Sequence, residues 1–318
     1  MLEKIAETIR KNESIIEKIE INPIIQYIAY NSFKSSRIFS DIGEDSAAIK
    51  DENKYILITT DRIKTSFIEK FPFGAGFSSI LVSVDDIYAC GGVPIAASII
   101  MSVRDVNKCK TILEGICEAS KKFQIPIIRG HTNPHGTCYE LSSTMIGEIE
   151  KDNYISAGNA QVDDNIILAV DFDGKVGKAS TLYFDTTTFK KSEDVLNKRK
   201  AMNFIAEKKL VNASKDISNG GIFGTILQLI KYSNVGANVN INKIGIPPKL
   251  KELDYTLEMY IKMYLTTSFI LTAPNENCKE IINIFKNHGI EANVIGKIIK
   301  QKNLKINDSK ETIDVIKF

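Results

Sequence analysis

The stretch "SILVSVDDIYACGG", Ser79 to Gly92, sets two adjacent aspartates in a run that is otherwise apolar or small. From Phe71 through Val103, Asp85 and Asp86 are the only charged residues. A carboxylate taken out of water is costly unless a cation or hydrogen-bond donors meet it, so any fold of this chain has to provide a partner for each. Ile80, Leu81, Val84, Ile87 and Tyr88 recur at helical spacing, and Gly91, Gly92 and Pro94 end the pattern. Asp86 falls roughly opposite the face of Ile80, Val84, Ile87 and Gly91, among Ser79, Val82, Ser83 and Cys90, where an exposed face would carry lysine or glutamate. The pattern predicts a helix covered on most sides with Asp86 in a cleft. The alternative is an aspartate that caps a neighbouring loop or faces solvent.

The 318 residues suggest about two domains. An apolar fraction of 43% suffices for real cores, and a net charge of +2 gives no footprint for nucleic acid or a membrane surface. No apolar run reaches the roughly 18 residues a bilayer span needs, and "MLEKIAETIRKNESIIEK" alternates charge with aliphatics, unlike a signal peptide. Five cysteines without C-x-x-C spacing argue against a disulfide framework or structural zinc and for a reducing cytoplasm.

Residues 1–40 read as a helical arm that Pro23 splits into two helices. Strands are expected at "YILITTD", "IAASIIMSV", "IPIIRG" and "ELSSTMIGEI", with an amphipathic helix at "KCKTILEGICEASKKF", giving a mixed α/β domain over 41–152. A second α/β domain, 153–318, opens with the strand "IILAVD" and contains helices near Ser192–Leu210, at "GGIFGTILQLIKYS" and at "ENCKEIINIFKNHG".

Other carboxylates keep similar company. Asp45, beside Glu44, sits in "DIGEDSAAI"; Asp61 ends "ILITTD" behind Thr59 and Thr60; Asp216 precedes a glycine-started helix in "ASKDISNGGIFG". Carboxylates and hydroxyls without nearby cysteine are hard oxygen ligands that suit magnesium, which is commonly shared with substrate phosphates. Each aspartate taken singly has an equally good structural reading. "GGIFGT", Gly220 to Thr225, either offers backbone N–H groups to phosphate or is a close-packed helix start. "RGHTNPHGTCYEL" carries His131 and His135 on a loop between strands; His131 with Thr132 could reach phosphate or metal, or simply bond backbone, and His135 reads as a turn residue. Lys34 and Arg37 either neutralise phosphates or face solvent. No P-loop, kinase or G-x-S-x-G signature is present.

Together these segments resemble the superfamily of aminoimidazole ribonucleotide (AIR) synthetase, thiamine-monophosphate kinase, selenophosphate synthetase and the hydrogenase maturation protein HypE, over about residues 41–300. "GEDSAAI" is similar to the family's G-D-D-A-A-v-I, "TTD" to its strand-end S/T-T-D, "VSVDDIYACGGVP" to V-N-x-x-D-I-A-A-M-G-A-x-P, "RGHT" to G-G-[DEH]-T and "KDISNGG" to D-[IV]-S-[DG]-G. Within the superfamily the chain looks most like the AIR synthase-related branch that includes methanogenesis marker protein 2.

The resemblance implies a PurM-like α/β (α+β) fold: an N-terminal mixed-sheet domain that pairs into a dimeric β-barrel, and a C-terminal ferredoxin-like domain. It implies Mg·ATP held by Asp45, Asp61, Asp86 and Asp216, with Asp86, Asp61 and His131 catalytic. Thr59, Thr60, Gly130, Thr132, Ser218, Gly220 and Gly221 would contact the nucleotide. Magnesium on that nucleotide would neutralise Asp86, with Asp85 the second candidate. The implied activity is phosphoryl transfer from ATP to a small-molecule acceptor by a cytoplasmic homodimer. The alternatives are a nucleotide-binding subunit of a maturation complex that has lost turnover, and thiamine-monophosphate kinase. Arg129 and Asn219 depart from the family pattern, and "RIKTSFIEKF" lacks the kinase's V-E-G-x-H-F segment.

Overall fold

The computed structural model describes residues 2–20, 22–178 and 180–318. A six-stranded sheet runs, in spatial order, Ile38–Ser40, Ala47–Asp51, Lys54–Arg62, Glu140–Glu150, Val93–Ser102 and Ile127–Asn133. Neighbours are antiparallel except the last pair, which is parallel. A seven-stranded sheet runs Ala213–Asp216, Ser268–Ala273, Asn165–Val170, Glu291–Ile299, Gly236–Asn240, Asn303–Asn307 and Thr312–Lys317. The fold is therefore mixed α/β, as expected. No helix of the described residues is long and apolar enough to cross a membrane.

The helix Pro72–Ala89 lies between the two halves, packing on the first sheet and on the helices Val106–Phe123 and Ser192–Glu207. Proline at its first turn suits a position with no intrahelical N–H bond to lose, and Gly91, at φ +80, turns the chain just beyond it. Gly76 and Gly115 let this helix and Val106–Phe123 touch backbone to backbone: a Cβ on Gly76 would stand 2.1 Å from the Ile112 carbonyl, and one on Gly115 2.1 Å from that of Phe73. Contact on both sides buries Ser79 and Ser83 along with the aliphatic stripe.

Among the described residues the arm holds three helices, Leu2–Arg10, Glu13–Glu20 and Asn22–Asn31, where the sequence suggested two. The unforeseen break is at Asn12, whose side chain accepts from Ser14 N at 3.1 Å and so competes with helix continuation. Leu2, Ile5, Ile9 and Ile15 are buried in one core with the second sheet. Arg10 fastens the first arm helix to the strand Thr312–Lys317, donating to the carbonyls of Val315 (3.1 Å) and Asp314 (2.7 Å).

Candidate active site

Between the sheets opens a cleft of about 1420 Å³ whose walls include Lys18, Asp45, Asp61, Asp86, Lys215 and Asp216. Three of the four expected metal ligands meet there: Asp45, Asp86 and Asp216 each present a carboxylate oxygen within 4.8 Å of the others. Asp61 stands beside them, accepting from Ser83 at 2.7 Å, and Asp86 accepts from Thr59 at 2.5 Å. These residues come from separate segments: the turn before Ala47–Asp51, the end of Lys54–Arg62, the long helix, and the end of Ala213–Asp216.

Each aspartate is steered by its surroundings. Strand alternation puts Thr59 and Asp61 on one face of the sheet, where Ser83 bridges Asp61 to Ser143, its 2.8 Å partner. Gly43, at φ +102, turns the chain toward Asp45, and the Tyr232 ring packs so tightly on it that a Cβ there would lie 2.1 Å from the ring. Lys215 pairs with Asp45, and Asp216 N donates to Asp45 at 3.3 Å.

Adjacent acids divide their labour. Glu44 borders the cleft but is not one of the clustered acids; it accepts from Ser40 (2.7 Å), Ser156 (2.5 Å) and Ala157 N (2.6 Å), tying its loop down. Asp85 likewise is no magnesium ligand: it meets Arg199 Nε at 2.7 Å in the core, both residues buried. Successive helical residues point about 100° apart, so Asp85 faces helix Ser192–Glu207 while Asp86 faces the cleft.

Crowding shapes the electrostatics. Burial, then the charges of Asp61, Asp216 and Asp45, pushes the Asp86 carboxyl well above the usual range. Asp216 is raised well above it by burial and by Asp45, with Lys215 opposing, and burial raises Asp61 against its hydrogen bonds. Burial opposes the charge on Lys215, but Asp45 and Asp216 carry its ammonium above the ordinary value. Burial and the charge of Lys215 lower Lys18 to about 8. Four carboxylates against two ammonium groups leave an excess of negative charge, and an all-oxygen donor set of this kind fits Mg²⁺.

Other expected site residues are distributed differently. Ser218, Asn219 and Gly220 border the cleft. Thr60 borders it too, but its hydroxyl is engaged with Thr144 at 3.0 Å. Gly221 is not among the cleft walls; it packs on Ile261, whose carbonyl would sit 2.1 Å from an added Cβ. His131 is not brought to the acids either. Residues 129–133 are strand rather than loop, and the register Ile100↔His131, Ile100↔Ser142, Ser142↔Arg62 puts His131 on the sheet face opposite Thr59 and Asp61. Gly130 and Thr132 share that exposed edge strand, where Gly130 admits the Ile99 carbonyl. Lys34 and Arg37 lie outside the cleft walls.

Sequence reasoning missed Lys18, which donates to Gln228 (2.6 Å) and Ser218 (3.1 Å), and Lys215. A lysine next to Asp216 in the fully buried strand Ala213–Asp216 was a readable signal; Lys18, on a charged surface helix, gave none.

Residues 43–149 match the AIR synthase related protein N-terminal domain, and residues 173–309 match the corresponding C-terminal domain. An uncharacterised protein of Methanocaldococcus jannaschii is 36% identical over all of this chain and 97% of its own length. The fold is similar to that of Thermotoga maritima PurL complexed with ATP (TM-score 0.72, 13% identity, 88% of this chain), though this chain spans only 47% of that one. It is also similar to AaThiL complexed with AMPPCP and TMP (TM-score 0.67, 20% identity, 92% of this chain and 93% of that one). The chain belongs to the AIR synthase related family.

Proposed function

We propose that the cleft binds Mg·ATP and that the protein transfers a phosphoryl group from ATP to a small-molecule acceptor. The observation that carries this reading is the convergence of Asp45, Asp86 and Asp216 within 4.8 Å in a cleft of about 1420 Å³. The ATP and AMPPCP bound by the two structural neighbours support it.

In this reading Asp45, Asp86 and Asp216 hold Mg²⁺, with Asp61 beside them, and the bound ion would offset charge on the phosphates. Thr59 orients Asp86 through its 2.5 Å hydrogen bond, and Ser83 orients Asp61. Ser218 and Gly220 line the path to the phosphates. Preorganised charges of this kind need no covalent nucleophile.

A homodimer is part of the proposal. The edge strand Ile127–Asn133 is exposed along its whole length, and Val93, Ile95, Ile100 and Ile128 expose apolar surface on or beside it. Pairing of two such edges would satisfy unpaired backbone groups and carry His131 into the interface. Placement in the methanogenesis marker protein 2 branch rests on the "AGFSSILVSVDDIYACGGVPIA", "GHTN" and "ASKDISNGGIFGT…YSNVGA" segments, and a cytoplasmic location on the free cysteines.

The test is thermal melting with AMPPCP, with and without Mg²⁺. Ligand at about 100 times its dissociation constant should stabilise the native state by about 2.7 kcal/mol; no shift at millimolar ligand would sink the reading. A nucleotide-binding subunit without turnover is the second reading, favoured by Asn219 in the cleft wall and by the place of His131 on the sheet face opposite Thr59 and Asp61. Nucleotide binding without ADP release across candidate acceptors would select it.

A further inference from the structure

The arm that precedes both matched domains reaches into the cleft. Ile15, on Glu13–Glu20, is buried against the glycine-started helix Gly221–Tyr232: a Cβ on Gly220 or Gly224 would lie 3.5 and 3.4 Å from Ile15 Cγ1. The small residues of "GGIFGT" thus make room for the arm, and the arm helix is seated against the loop expected to approach phosphate. One turn on, Lys18 extends into the cleft and rests on Ser218 and Gln228.

Lys18 is unusual for what it does not touch. Asp45, Asp86 and Asp216 are close enough for their charges to act on it, yet it forms no salt bridge among the described residues, whereas Lys215 is paired with Asp45. An ammonium group is rarely left in a recess on two neutral oxygens alone. Its partners, a hydroxyl and an amide oxygen, are weak competitors for a charge-assisted bond to an anion. The position is held by the packing of Ile15, so the ammonium is presented at low further entropic cost.

We propose that Lys18 is the cleft's phosphate-binding cation, exchanging Ser218 and Gln228 for an oxygen of the terminal phosphate of a nucleoside triphosphate. This rests on the nucleotide reading above and adds to it a residue outside both matched domains, which begin at residue 43. The arm thereby senses the third phosphate, and a diphosphate leaves Lys18 on its resting partners.

The experiment is titration of the full chain with Mg·ADP and Mg·AMPPCP, as wild type, Lys18→Met and Lys18→Arg, with ligand-free melting of each. The proposal expects wild type to bind AMPPCP about tenfold or more tighter than ADP. Lys18→Met should bring that ratio to about one while leaving ADP affinity within about twofold, and Lys18→Arg should restore most of it without a change in ligand-free melting. If Lys18→Met keeps the ratio, or loses both affinities together with stability, Lys18 only clamps the arm and the proposal is overturned. If wild type binds neither nucleotide, the nucleotide reading falls first and takes the proposal with it.

Discussion

Asp85 Oδ1 receives Arg199 Nε at 2.7 Å inside the core, 114 residues apart in sequence, and the guanidinium carbon lies 5.0 Å from the Phe123 ring centre. Burial raises the Asp85 carboxyl, Arg199 opposes that rise, and one guanidinium nitrogen, Nη2, has no hydrogen-bond partner among the described residues. The pair joins the helix that presents Asp86 to the helix Ser192–Glu207 of the other half. Removing one member of a buried pair strands the other, at about 3–5 kcal/mol. Arg199→Met should lose stability on that scale in urea denaturation, and adding Asp85→Asn should recover part of it. A single variant as stable as wild type would show the pair to be dispensable.

Asp86 and Asp216 shift the same way, which sets the pH dependence of the metal-free protein. A carboxyl whose folded value is raised favours the neutral form, so its contribution is present below the ordinary value of about 4 and is lost as pH climbs through the raised one. With EDTA, melting temperature should fall as pH rises from about 4 toward neutrality through these two groups. Millimolar Mg²⁺ should flatten the fall. A metal-free profile that rises over this range would contradict the crowding described for the cleft.

Asp86→Asn separates stability from function. The amide keeps the shape and removes one charge from the cluster, so the metal-free variant should melt higher than wild type at pH 7.5, by a shift worth about 1 kcal/mol. The same variant should lose the Mg²⁺-dependent shift with AMPPCP and any ATP turnover. Normal turnover would remove Asp86 from the site.

Gly43 carries the loop of Asp45 at φ +102 under the Tyr232 ring. Gly43→Ala adds strain of about 1–3 kcal/mol and forces the ring or the loop to move. Magnesium-dependent stabilisation should weaken more than the ligand-free melting point falls. Equal loss of both would mean that the loop does not position Asp45.

Ile128 is 64% exposed on the edge strand. In the homodimer reading Ile128→Lys places a charge in a pairing edge, and sedimentation should show monomer where wild type is a dimer, with the circular dichroism spectrum unchanged. A wild type that sediments as monomer at all concentrations would end that reading.

Much of the fold was readable because its elements are strongly patterned. The strand Lys54–Arg62 alternates buried and open residues along "YILIT", and the helix Pro72–Ala89 carries an uninterrupted aliphatic stripe ended by two glycines. Asp45, Asp86 and Asp216 stood out as acids among small residues. What could not be read was long-range. Nothing near Asp85 names Arg199, and the separate duties of Glu44 and Asp45 depend on Ser156 and Ala157, over a hundred residues on. His131 was misplaced because a one-residue step along a strand reverses the face a side chain occupies, and only the register reveals that face.

The bond from Arg10 to Val315 spans 305 residues. The first arm helix is made 305 residues before the strand that receives it, so closing this contact carries the loop-entropy cost of that long separation. Both sheets can form before it does. The first arm helix, Leu2–Arg10, is then fastened after the helix Glu13–Glu20 that bears Lys18, which rests on Gly220, Gly224, Ser218 and Gln228. Nascent chains stalled before Val315 emerges should show the helix Leu2–Arg10 cut readily by protease while the first sheet resists, and protection of that helix at that stage would refute this order of assembly.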